Sequence, residues 1–402
     1  MTIELGWRVT IRANTRIIII HITIKRTARE FMMFDRKGFQ GHLSFRGAAM
    51  AMTLGLVSCS GGNPPPEATT TTATSGLPEV VVSSSILCDF TQQIAGNTIA
   101  LNCLMERDRD PHTYQTTPSD RQAMETAALI LYDGYGLVPT IEELVGAIET
   151  SAPKVAVYEA AVPDPILAEH HHHDDEHHDD EHHEDEHHED EHHDSEHHDS
   201  EDKKEARSEE LAPDPHVWHD VSHASASVAQ ISSQLARVNP EQAPFYAENA
   251  TQLQGELEAL DIWVEEQVAT IPEGQKTLIT THDGFNYYIQ AYGFQNSTAL
   301  QGISTEEQPT ATRVKELVEK IEESKVPTIF AETSGNDRVL ETVAREAGVR
   351  VAKQKLFAGS LGAQGSTAET YIGAIASNTC AIVNGLGGEC TPFQARESRI
   401  SN

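Results

Sequence analysis

Three isolated histidines sit where metal chemistry would need them: His112 in RDRDPHTY, His216 in PDPHVWHD and His282 in THDGFNYY. Asp-Pro precedes the first two. Proline fixes its own φ and drives the residue before it into an extended conformation, so each imidazole projects from a stiff loop. Asp110 and Asp214 stand two residues ahead of these rings. There a carboxylate can take the proton of one ring nitrogen, orient the loop, or complete a coordination shell as a fourth ligand. Glu332, in FAET, stands at a strand end, where it can line a cleft, orient His282 or form a lobe-stabilising ion pair. Neutral imidazoles suit Zn2+, whereas Mn2+ prefers oxygen donors. His219 and His223 follow His216 on roughly one helical face, as alternative ligands or, the plainer expectation, as packing residues. Tyr287 and Tyr288 read as core or cleft packing.

A louder cluster fills residues 172–201, where HHDDEHHDDEHHEDEHHEDEHHDSEHHDSE repeats a five-residue unit six times. Its pairs are His172 and His173, His177 and His178, His182 and His183, His187 and His188, His192 and His193, and His197 and His198. The tract has no apolar residue to bury, so it is expected to be a disordered loop over 169–202. The functional reading is a weak, multi-site zinc collector. The bland one is a solubilising repeat that binds metal without consequence. Imidazole binds metal only when neutral, so collection should fade as pH falls below about 6.5.

The elements that must position the isolated histidines alternate between strand and helix. EVVVSSS, NTIALNCLM, ALILYDG and KVAVYEA read as strands, with helical ILCDFTQQIAG, PSDRQAMETA and PTIEELVGAIET between them. DPHVWHDVSHASASVAQISSQLARVNP resumes as a helix, and PEQAPFYAENATQLQGELEALDIWVEEQVATIP is one sustained helical pattern that stops at Pro272. KTLITTHDG, VPTIFAET and VRVAKQKLF are strands of a second half, with helices in FNYYIQAYG, TATRVKELVEKIEESK, RVLETVAREAG and TAETYIGAIASNTCAIVNGL. This predicts an α/β fold: two βα lobes with parallel sheets, joined by one long helix. Ligands of such sheets bind beyond the carboxyl ends of the strands, where all three histidines fall.

The net charge of −33 excludes a nucleic-acid partner, since no basic stripe exists to replace phosphate counterions. Much of the excess lies in residues 169–202, which hold 18 of the 62 acidic residues and 14 of the 21 histidines. Near the N-terminus, Arg46 precedes the short apolar run GAAMAMTLGLVSC, which reads as a secretory signal and is too short to span a membrane. LVSC resembles a lipobox, making Cys59 a lipidation candidate and a membrane tether. Four further cysteines allow three connectivities; pairing Cys88 with Cys103 and Cys380 with Cys390 closes the shortest loops. The expected organisation is a signal peptide over 1–59, a flexible linker over 60–77, an N-terminal metal-binding lobe over 78–240, a linking helix over 241–272 and a C-terminal metal-binding lobe over 273–402.

From about residue 78 onward the chain resembles the zinc- and manganese-binding components of bacterial ABC metal importers. The resemblance is carried by IAG at 94–96, DPHTYQTTPSD at 110–120, LYDGYG at 131–136, DPHVWHD at 214–220, THDGFNYYIQAYG at 281–293, FAET at 330–333 and TYIGAIASN at 370–378. It implies a monomer that holds one metal ion between its lobes, with ligands at His112, His216 and His282, and hands it to an ABC permease in the inner membrane. A His-rich insertion between the first two ligands also resembles the zinc-binding members. Many manganese-binding members carry Glu at the third position, and an Asp where this chain has Gly359. The expected function is therefore high-affinity Zn2+ capture in the periplasm or on the extracytoplasmic membrane face, with no reaction catalysed. Manganese transport, a zinc buffer or surface adhesin, and a zinc hydrolase are the alternatives. The last is disfavoured by the lack of a His-Glu-x-x-His pattern.

Overall fold

The computed structural model describes residues 4–13, 16–25, 76–170, 210–335 and 337–394. Cys59 and all twelve histidines of the repeat lie outside the described residues, as does most of the expected linker. Strands β1 (Glu4–Ala13) and β2 (Arg16–Lys25) pair antiparallel. Both strands fall within the span assigned to the signal peptide, and they belong to a unit of their own, Met1–Thr72.

The first lobe runs β3 (Glu79–Val82), α1 (Ser85–Ala95), β4 (Ala100–Cys103), α2 (Pro118–Thr126), β5 (Leu129–Tyr132), α3 (Pro139–Ala147), β6 (Lys154–Ala156) and α4 (Val157–Ala161). Its parallel sheet has the order β4-β3-β5-β6. Val80, Val81 and Val82 are fully buried, as expected of a central strand covered on both faces by helices. Helix starts follow local chemistry. The Ser84 hydroxyl accepts the Leu87 N–H at α1, and Thr117 and Asp120 form a reciprocal capping box at α2. KVAVYEA is not a strand throughout: only Lys154–Ala156 is extended, and the chain then coils into α4, with Tyr158 N–H on Asp133 C=O at 3.0 Å.

Next comes an antiparallel pair that the sequence reading lacks, β7 (Leu167–His170) and β8 (Glu210–Pro213). Leu167 pairs with Pro213 and His170 with Glu210, so the histidine tract leaves and re-enters the fold through adjacent residues. A 3-10 turn, Val217–His219, leads into α5 (Val221–Val238), capped by Asp220. Then α6 (Ala243–Val268) runs 26 residues, about 39 Å at 1.5 Å per residue. Its buried stripe of Tyr246, Ala250, Leu253, Leu257, Leu260, Val264 and Val268 recurs at helical spacing. The helix packs on α1 and α5.

The second lobe holds β9 (Thr277–Thr280), α7 (Asn286–Tyr292), β10 (Asn296–Ala299), α8 (Ala311–Ser324), β11 (Thr328–Ile329), α9 (Asp337–Glu346), β12 (Arg350–Val351) and α10 (Tyr371–Gly385). Both α7 and α10 pack against α6, which thereby joins the two lobes. β10 pairs with β9 and β12 with β11, all parallel. Phe330 N–H to Ile279 C=O, 2.8 Å, sets the β11 segment beside β9. The second lobe thus repeats the first: the opening strand lies between its successor and the third. Within VRVAKQKLF only Arg350–Val351 forms a strand, and Leu356 makes an isolated parallel bridge to Glu332.

Cys88 is bridged to Cys103 and Cys380 to Cys390. Between the lobes, Tyr371 N–H donates to Asp89 Oδ2 at 2.9 Å and the Tyr371 hydroxyl to Trp218 C=O at 2.7 Å. Among the described residues no helix is long and apolar enough to cross a membrane.

Candidate metal centre

His112 lies in the loop beyond β4, with its N–H on Asp110 Oδ1 at 3.1 Å. His216 opens the 3-10 turn beyond β8. Its N–H and its ring Nδ1 both reach Asp214 Oδ1, at 2.9 and 2.8 Å. His282 follows β9, and Glu332 follows β11. Glu332 Oε1 accepts the N–H groups of Thr281 and His282, each at 3.0 Å, and Oε2 bonds His282 Nδ1. The three rings are buried, and the Nε2 atom of His216 lies 3.1 Å from that of His112 and 3.1 Å from that of His282.

The partners assign the tautomers. In their neutral forms, His216 and His282 each place the proton on Nδ1, held by Asp214 and Glu332. Their Nε2 lone pairs then face one another at 3.1 Å. Two lone pairs at that range repel, and a cation between them turns the repulsion into coordination. Zn–N bonds of about 2.0–2.1 Å at tetrahedral angles put donor nitrogens about 3.3 Å apart, close to the observed separations. His112, His216 and His282 form the one group of potential metal ligands found among the described residues, and no carboxylate joins it.

Burial, reinforced by neighbouring His282, holds His216 well below the usual histidine range, so it is neutral and ready to donate. Burial alone would lower His282 too, but the Glu332 charge and hydrogen bond outweigh it and raise the ring above 6.5. Burial pushes Asp214 up to about 6, leaving it an ionised acceptor at neutral pH.

All three candidate carboxylates have both oxygens engaged by protein donors. Asp110 Oδ2 accepts from Thr305, Asp214 Oδ2 from Asn286 at 3.1 Å, and Glu332 is filled as described. His219 and His223 stay out of the cluster. His219 is buried and stacked on Phe285, with Nε2 on Ala358 C=O at 3.0 Å, and burial lowers its pKa to about 3. His223 is partly exposed beside Asp220. The Tyr287 hydroxyl takes the Ile166 N–H and gives to Asp214 C=O, pinning the hairpin root to the His216 loop, while Tyr288 bonds Thr379. A Cβ on Gly359 would lie 2.6 Å from Pro111 Cδ, so this glycine lets its loop close on the His112 loop.

Gly284 lies against the histidine cluster at a position that residue types did not flag. A Cβ there would lie 2.6 Å from His282 Nε2 and 3.4 Å from His216 Cδ2. Its only sequence signal is its place two residues after a strand-end histidine. Gly284→Ala should therefore push the His282 ring off its position and weaken metal affinity about 10-fold or more, with little loss of thermal stability. Calorimetric titration with Zn2+ beside a melting curve checks both halves.

The family model described as ZnuA, zinc-uptake complex component A periplasmic, matches residues 80–385. Relatives include the manganese-binding lipoprotein MntA of Halalkalibacterium halodurans, 27% identical over 308 residues that span 77% of this chain and 88% of that one. The metal ABC transporter substrate-binding lipoprotein FimA of Streptococcus parasanguinis is 28% identical over 343 residues, 84% of this chain and 96% of that one. Among solved structures, the periplasmic zinc binding protein TroA from Treponema pallidum matches with a TM-score of 0.64 and 28% identity, covering 77% of this chain and 99% of its own.

Proposed function

The chain belongs to the ZnuA family of periplasmic metal-uptake components, and from that premise we propose that its cargo is Zn2+, held by His112, His216 and His282. It is a metal-binding component of an ABC importer and not an enzyme. The observation that carries the zinc reading is the donor set: three buried imidazoles with no carboxylate among them. Zn2+ accepts such a shell, whereas Mn2+ favours oxygen. Gly359, packed against Pro111, offers no side chain to supply one. Asp214 and Glu332 act behind the ligands, fixing tautomer and ring orientation.

A monomer of this design captures the ion outside the cytoplasm and passes it to a permease, release following a change in lobe contacts on docking. Cys59 serves as the lipid anchor, and the histidine repeat as an accessory, low-affinity collector. Manganese is the second reading, favoured by the name of the relative MntA.

Competition between Zn2+ and Mn2+ tests the assignment on protein lacking residues 172–201. The proposal expects one tight site that keeps Zn2+ against a large excess of Mn2+, with a lower total zinc stoichiometry than the full chain. Tight Mn2+ binding that Zn2+ fails to displace would overturn the cargo. Loss of the tight site on deletion would place the centre in the repeat instead.

A further inference from the structure

Resting on the capture reading above, we infer that the hydrogen bond from Thr305 Oγ1 to Asp110 Oδ2 is an inter-lobe clasp that sets how long the bound ion stays. The bond is 2.6 Å long and links residues 195 apart in the chain, one in each lobe.

Both ends of the clasp are tied to ligand segments. On the first lobe, the other oxygen of Asp110 holds the His112 N–H, so the carboxylate and the ligand move together. On the second, the buried Gln301 side chain holds the Thr305 C=O at 2.9 Å and the Glu307 C=O at 2.7 Å. The backbone of that loop hangs from the residues on either side of His282. Gln301 N–H donates to Thr281 C=O, and Asp283 N–H donates to Gly302 C=O, each at 2.9 Å. The links run from His112 through Asp110 and Thr305 to residues 301 and 302, then to 281 and 283 around His282. An ion bridging His112 and His282 closes the ring.

The two ligand segments are thus joined twice, once by the ion and once by a protein hydrogen bond. When one imidazole lets go, the clasp keeps it within reach of the ion, and rebinding competes with escape. The ion leaves fully only after the clasp opens. Such a bond acts on dissociation far more than on association. Thr305 is suited to the task because it is not itself one of the three potential ligands. A permease that separates the lobes would break clasp and coordination together, turning a slow spontaneous release into a fast docked one. Thr305 is on this view a positioning residue.

The test uses the full chain loaded with one equivalent of Zn2+, then mixed rapidly with excess chelator. Wild type should show a slow phase, assigned to the three-histidine centre by its absence in His112→Ala. Thr305→Val keeps the side-chain shape and removes the donor. Losing a hydrogen bond to a carboxylate predicts a slow phase about 10-fold or more faster, with the association rate within about twofold of wild type. Thr305→Ser restores the hydroxyl and should return the slow phase to the wild-type rate. An unchanged rate in Thr305→Val overturns the clasp, as does equal acceleration in both variants, which would assign the effect to packing. A wild type without any slow phase overturns the capture reading itself, and the clasp with it.

Discussion

Zinc affinity should fall by about 100- to 1,000-fold when His216 is replaced by alanine, given roughly 10–16 kcal/mol for a full structural zinc shell shared among its ligands. His216 is the middle ring. Its Nε2 atom lies 3.1 Å from that of each of the other two, so its removal takes the donor that both neighbours face. The substitution also strips Asp214 of its ring partner in a fully buried setting, leaving the backbone N–H at position 216 and the Asn286 amide on that carboxylate. The fold should survive, because the hairpin root stays pinned by Tyr287. Calorimetry on the repeat-deleted protein reads the loss directly. Retention of wild-type affinity would show that the ion sits elsewhere.

Glu332→Gln should cost about 10- to 100-fold in zinc affinity, although Glu332 is not among the ligands. The amide oxygen can still accept the Thr281 and His282 N–H groups that Oε1 now holds. The amide nitrogen then meets His282 Nδ1 as a donor, and the ring proton must shift to Nε2. That nitrogen is the one aimed at His112 and His216, so the exchange occludes the donor without changing the volume of the side chain. The variant should also alter the pH profile. Glu332 raises the His282 pKa above 6.5, and Zn2+ competes with the ring proton. Wild-type affinity therefore climbs as pH rises through that elevated value and levels off above it. In Glu332→Gln the bend moves to lower pH. The metal-free fold obeys the same linkage: the raised His282 pKa contributes stability that is present in full below 6.5 and is lost as pH rises through the folded value. Zinc titrations across pH 5.5–8.5 would reveal the bend, and an unshifted one would remove Glu332 from its role.

The three clustered histidines were readable in the chain because their signal is local. Asp-Pro-His stiffens a loop, and a strand-end His-Asp marks the carboxyl edge of a sheet. Glu332 was nameable for the same reason. What the sequence hid acts through space. Gly284 matters for the Cβ it lacks beside His282, and Thr305 for a partner in the other lobe. Strand β10 is the polar, largely exposed NSTA, with no apolar alternation to announce it. Strands β7 and β8 find each other across the whole histidine repeat, beyond any local window. KVAVYEA alternates like a strand but turns helical because Tyr158 is fully buried at the end of β5, where tertiary packing overrides propensity.

The antiparallel pair at the mouth of the repeat has a consequence for how this protein can vary. His170 and Glu210 are already neighbours, so the intervening segment begins and ends at the same place whatever its length. Lengthening a connection with fixed ends costs only about 0.6 kcal/mol per doubling. Copies of the five-residue unit can be gained or lost in the gene with no ligand loop displaced. On the proposed function, metal capacity and metal affinity would thereby be separate inheritable quantities, one counted in repeats and the other fixed by three rings.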